Sequence, residues 1–214
     1  MQGVIFVDKG CIFKIGPQPM AARNTETERL IKETAKKIFL VEGRIHATTE
    51  DIAQEAGIPR TSVHYYFRTR DLLFKHVFNE ALSDLTARLN SVIESDLPFR
   101  EKLENYIDIC LSDASAHPYV ETFVVTEIIN QKFELVDKES PVRLKAFLKE
   151  IKTEMTKGVI PEMNPFQFIL NLFALLTYPA IAAPLYKKLF EIESQPYQKL
   201  LKERKQVILK VLLR

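Results

Sequence analysis

Six side chains crowd into the stretch "PRTSVHYYFRTRDLL" with types and spacing suited to touching something outside the fold: Arg60, Thr61, Ser62, His64, Tyr65 and Tyr66. Val63 and Phe67, four apart, are the only residues of this short helix that its period turns inward. Surface helices of soluble proteins are usually dressed in Glu and Lys, and this one carries hydrogen-bond donors and aromatic rings instead. Arginine can bind guanine bidentately, and His64, Tyr65 and Tyr66 can donate to phosphates or press their rings on the thymine methyl. The chemistry on offer is recognition of duplex DNA.

Such a helix needs a partner that holds it at a fixed angle. The preceding segment supplies one: Thr48 with Asp51 three residues later makes a capping-box start, and Ile52, Ala53 and Ala56 form an inward face. Gly57 allows the tight turn and small Ala53 lets the two helices cross closely, which is a helix-turn-helix. Thr48 and Thr49 sit at a helix N-terminus, where amides and hydroxyls can meet a phosphate, and Arg70 opens the next helix beside the DNA backbone. Residues 20–75 hold ten Lys or Arg against eight Asp or Glu, a weak electrostatic footprint that a dimer would double.

At these residues the sequence resembles the TetR/AcrR family of helix-turn-helix transcriptional regulators. The match is specific over Thr25 to Phe74, in the order of AG, a short helix ending in Tyr-Phe, a basic residue and Leu. Pro59 stands where the family usually has a Ser cap, Thr61 where Gly is frequent and His64 where Tyr is frequent. The resemblance implies a near-palindromic operator bound by a homodimer and a C-terminal domain that dimerises and holds a small-molecule effector. Repression released by a small hydrophobic effector is the expected mode. A helical dimeric ligand-binding or structural module without a DNA switch is the alternative.

The rest of the chain fits an all-α protein with an N-terminal appendage (1–22), a DNA-binding domain (23–75) and a helical effector and dimerisation domain (76–214). Val4 to Ile15 reads as a small β-hairpin, and Met20 is an alternative start. Leu30, Ile31, Thr34, Ile38, Phe39 and Val41 form an amphipathic stripe closed by Gly43. A long helix from Asp71 to about Ser95 carries Leu73, Val77, Ala81, Leu85, Leu89 and Val92 inward and forms the only link between the two modules, with Leu85 and Leu89 as its lever. Met163 to Tyr186 carries no charge and is long enough to span a bilayer. Gln167 and Asn171, and Pro179 and Pro184 breaking the helix near its middle, argue instead for burial against a second copy, together with the closing helix Gln198–Leu213. Phe166, Leu172, Leu176, Ile208, Leu209 and Leu212 are the expected interface residues. For the effector, Tyr106, Cys110, Phe123, Glu127, Asn130, Phe147, Met155, Phe173 and Thr177 are polar or aromatic groups on apolar faces that could converge on a pocket.

Catalysis lacks parts. Two distant cysteines, Cys11 and Cys110, four scattered histidines and no nucleotide, hydrolase or zinc-protease motif leave an enzyme without a site. No metal and no cofactor are expected, and paired-cysteine scarcity suits a reducing cytoplasm.

Overall fold

The computed structural model describes residues 20–130 and 138–214, and the expected hairpin lies outside them. Among the described residues the chain is all-helical, with no strand. The order is α1 (Met20–Lys36), a π-helical turn (Lys37–Val41), α2 (Thr49–Ala56), α3 (Arg60–Tyr66), α4 (Arg70–Ile93) and α5 (Phe99–Ala116). Then come α6 (Val120–Ile129), α7 (Ser140–Thr156), α8 (Pro165–Ile181), α9 (Ala183–Leu189) and α10 (Ser194–Leu212).

Two apolar cores form, and α4 runs through both. Ile31, Ile38, Phe39 and Leu40 from the first helical run meet Ile52, Ala53, Val63 and Phe67, and the first half of α4 adds Leu73, Val77 and Phe78. The π turn gathers three consecutive buried residues, Ile38 to Leu40, into this core, while Leu30 and Val41, which the 3.6 period assigns to the inward stripe, are exposed. Leu89, Val92 and Ile93 at the far end of α4 pack instead on the second core, built from α5, α7, α8 and α10 around Leu103, Ile107, Ile151, Phe168 and Leu172. At 24 residues, α4 is about 36 Å long.

The first core also recruits α6, through Val120 and Phe123, whose ring meets Phe74 edge-on at 5.0 Å. The backbone N–H of Tyr119 donates to the Leu40 carbonyl at 3.1 Å. Its ring lies over Gly43, so close that a Cβ there would come within 2.5 Å of it. Thus α4 is not the only mechanical link: the α5–α6 corner fastens the second module onto the π turn. Gly43 has φ +68°, so Gly43→Ala meets both a left-handed backbone costing about 1–2 kcal/mol and the Tyr119 ring. The expected result is a melting temperature lower by about 4 °C or more, partly restored when Tyr119→Ala is added. Equal melting of Gly43→Ala and the native chain would disprove this contact.

The uncharged segment corrects two expectations. Pro179 sits inside α8 without breaking it, and the chain turns instead at Ala182, where Pro184 opens α9. The two helices bend by 63°, and no single helix among the described residues is long and apolar enough to cross a membrane. Second, Leu172, Leu176, Ile208, Leu209 and Leu212 are buried in their own protomer's core and are not open to a second copy. Of the six expected interface residues only Phe166 is exposed, at 56%. Its neighbours at helical spacing, Leu170 and Phe173, are exposed with it, as are Leu200, Val207 and Val211 on α10.

Candidate nucleic-acid interface

Capping chemistry sets the reading unit. The Thr48 hydroxyl accepts from the Asp51 N–H at 3.2 Å, and the Thr48 amide and hydroxyl both donate to the Asp51 carboxylate at 2.7 Å. Those two donations hold the Asp51 carboxyl below the usual carboxylate range. At its other end α2 closes on Gly57 in the left-handed region, φ +65°, and the Ile58 N–H reaches back to the Ala53 carbonyl at 3.0 Å. Pro59 takes the N-cap of α3 without a side-chain bond, its fixed φ suiting the entry to the helix.

With Val63 fully buried beneath it, α3 turns Arg60, Thr61, His64 and Tyr65 outward. Tyr65 is the most exposed aromatic of the unit, at 73%. Ser62 is half-buried, and so is Tyr66, which packs on the first core while meeting Tyr65 edge-on at 5.1 Å. Arg60 lies 3.5 Å from Glu50, an exposed pair that costs little to open. Thr49 is half-buried at the first turn of α2, and Thr48 is exposed with its donor already spent on Asp51.

Arg70 does something other than expected. Its guanidinium donates to the carbonyls of Ile45 and Ala47, pairs with Asp71 and lies over the rings of Phe39 and Phe74. Those bonds anchor the loop before α2 to the start of α4, so Arg70 positions the interface, most of its guanidinium being engaged by the protein itself. The basic residue on the outside is Arg68, which reasoning from sequence passed over. It follows α3 directly, is exposed and has no ion pair or hydrogen bond among the described residues. Its signal was its place after Phe67, beyond the last inward residue of α3.

Around the reading unit the charges largely neutralise one another. Lys37 lies 2.7 Å from Glu55 and 3.4 Å from Glu42, which raise its pKa, and Arg44 lies 3.9 Å from Asp51.

Among the described residues the nine expected effector residues divide between the two cores and the surface. Phe123 belongs to the first core, while Tyr106, Phe147 and Met155 belong to the second, where Phe147 stacks on Phe99 at 5.9 Å. Cys110 borders that core, and burial pushes its thiol up to about 12. Burial likewise raises the Tyr106 phenol and, from α6, the Glu121 carboxyl, so these groups stay neutral over a wider range. Glu127 is half-buried on α6 and Asn130 is exposed at its end, Phe173 is exposed, and the Thr177 hydroxyl donates to the Phe173 carbonyl at 3.0 Å. Two cavities, of about 460 and 510 Å³, are lined by none of the nine. The larger lies where α1, α4 and the end of α5 meet, beside the buried Asp113 carboxylate: the half-exposed Arg88 donates to it at 2.6 Å, and His117 Nδ1 stands 3.6 Å from it.

This geometry has counterparts. Residues 31–77 match the model of the bacterial regulatory proteins of the tetR family. Over 162 residues the chain is 24% identical to YhgD of Bacillus subtilis (strain 168), described as an uncharacterized HTH-type transcriptional regulator, covering 71% of this chain and 83% of that one. Its fold is similar to that of the ketosteroid transcriptional regulator KstR2 of Mycobacterium tuberculosis, with a TM-score of 0.63 and 16% identity over 88% of this chain and 95% of that one. It is also similar to a TetR family regulator of Marinobacter aquaeolei VT8, with a TM-score of 0.60 and 11% identity over 91% and 99%. With a capped helix-turn-helix on a two-core helical body, the chain carries over residues 31–77 the DNA-binding domain of the tetR family of bacterial regulatory proteins, and it is similar throughout to helix-turn-helix transcriptional regulators.

Proposed function

We propose that the protein is a repressor that binds a near-palindromic operator as a homodimer through α3 and is released by a small molecule. The observation that carries this reading is the outward set Arg60, Thr61, His64 and Tyr65, projected from a helix whose opposite side, Val63, is fully buried. Two-fold symmetry would set the two α3 helices about 34–36 Å apart, one turn of DNA, so that each enters a successive major groove. Arg68 then lies where it can meet the phosphate backbone. A regulator of this kind needs no catalytic group and works in the cytoplasm, beside its DNA.

The dimer is supported by the two apolar stripes, Phe166, Leu170 and Phe173 on α8 and Leu200, Val207 and Val211 on α10, whose steps of three, four and seven suit helix-on-helix packing. Pairing both with their symmetry mates makes a four-helix bundle. Release is supported by the corner at Tyr119. A shift at the end of α5 reaches the π turn through the Tyr119–Leu40 hydrogen bond, while Leu85 and Leu89 on α4 carry the same displacement along the covalent route. A coupling of about 1–3 kcal/mol would lower operator affinity some 5–150-fold.

The test is a gel-shift series against an operator recovered by selection from random duplexes. Tyr65→Ala and Arg60→Ala are each expected to lose about 1–3 kcal/mol of operator binding while melting as the native protein does. Arg60→Ala should relax sequence preference, and Arg68→Ala should weaken all sequences equally and flatten the salt dependence. Unchanged affinity in both α3 variants would refute DNA reading by this helix. Operator binding that no ligand ever alters would favour the module without a switch.

A further inference from the structure

A groove of about 460 Å³ runs between α5, α8 and α10, within the size range of small-molecule sites. Its apolar lining comes from Leu111, Leu176 and Leu201, with Leu176 buried and the other two half-buried. The α5 wall is made of small side chains, the run Ser112 to Ala116, in which Asp113 alone turns the other way to meet Arg88 on α4. That pair, a buried carboxylate with a half-exposed guanidinium, holds α5 with its small residues towards α10 and leaves the space open.

The rim is polar and its charges are unequal. Lys205 is paired with Asp108 at 2.6 Å, whereas Lys202 has no hydrogen bond or ion pair among the described residues. Two cations less one carboxylate leave a single positive charge at the mouth. Asp108 would repel a second negative charge, and the Ser112 and Ser115 hydroxyls can donate to one carboxylate. We infer that this groove binds a monoanionic amphiphile of the fatty-acid class, its carboxylate on Lys202 and its chain on the leucine lining. The site stands apart from the nine residues expected from sequence. Only its regulatory consequence rests on the repressor reading: the groove wall ends at Ala116, three residues before Tyr119, so a guest that spreads α5 from α10 pulls on the corner that holds the DNA-reading unit.

The experiment uses the full-length protein and decanoate, 1-decanol and decylamine as probes, all below micelle formation. By calorimetry, decanoate is expected to bind up to about fivefold more tightly than 1-decanol, the strength of one exposed ion pair. Lys202→Ala should abolish that preference, and Lys202→Glu should transfer it to decylamine, a reversal that mere loss of packing does not produce. Ser115→Trp, at an exposed rim position, should block all three probes by filling the groove. Absence of decanoate binding to the native chain, or binding that survives both Lys202→Glu and Ser115→Trp, overturns the proposal. Operator affinity is read separately with decanoate present. Groove-dependent binding that leaves it unchanged upholds the site and refutes release by ligand.

Discussion

Leu172→Glu is expected to unfold the protomer, whereas Phe173→Glu, one residue away, is expected to leave it folded and make it monomeric. Leu172 is 0% exposed in the second core and Phe173 is 37% exposed on the outer stripe of α8. Burying a carboxylate among Leu103, Ile107 and Phe168 without a partner costs several kcal/mol, at the exceptional end of single substitutions. At about 2–4 °C per kcal/mol for a chain of this size, melting should fall by more than 10 °C. Phe173→Glu leaves the charge in water and removes only apolar contact with a second copy. Circular dichroism melting together with light scattering separates the two. A dimeric Phe173→Glu with unchanged association would exclude this stripe from the interface, and a stably folded Leu172→Glu would contradict the core itself.

Arg70→Ala is expected to lose about 3 kcal/mol of stability, a fall in melting temperature of about 6–12 °C, before any effect on DNA is measured. The lost interactions are the charge-assisted bonds to the Ile45 and Ala47 carbonyls and the contacts with the Phe39 and Phe74 rings. Arg70→Lys should recover little, because an ammonium cannot span two carbonyls as a planar fork does. Operator binding measured well below the melting point should be far less affected than in Tyr65→Ala. If Arg70→Ala melts normally and loses affinity for every sequence, Arg70 is a phosphate contact after all.

These two residues mark where the sequence is legible and where it is not. Helix order, the caps at Thr48 and Gly57, and the inward pair Val63 and Phe67 depend on neighbours a few residues away, and local pattern is enough to find them. Choosing between Leu172 and Phe173 needs a contrast between faces, and in α8 only Gln167 and Asn171 supply one, so the period is weakly marked there. Arg70 reads locally as a surface cation at a helix start. Its acceptors lie 25 and 23 residues earlier in a loop that only the fold brings near. Polar groups stranded on apolar faces likewise mark buried positions and say nothing of which cavity they share. The groove was written in small residues, Ser112 to Ala116, which leave a space by what they lack.

The wall that α6 lends to the first core also bears on how the protein can be cut and recombined. Val120 and Phe123 close the hydrophobic interior that Ile31 begins, some ninety residues upstream. A DNA-reading head severed after α4 would carry an open apolar scar where Phe74 now meets Phe123. During synthesis that core stays open until α6 has been made, so the helix-turn-helix unit packs fully only once part of the second module exists. A chimaera that grafts this head onto another body must bring α6 with it, or find a substitute of the same shape.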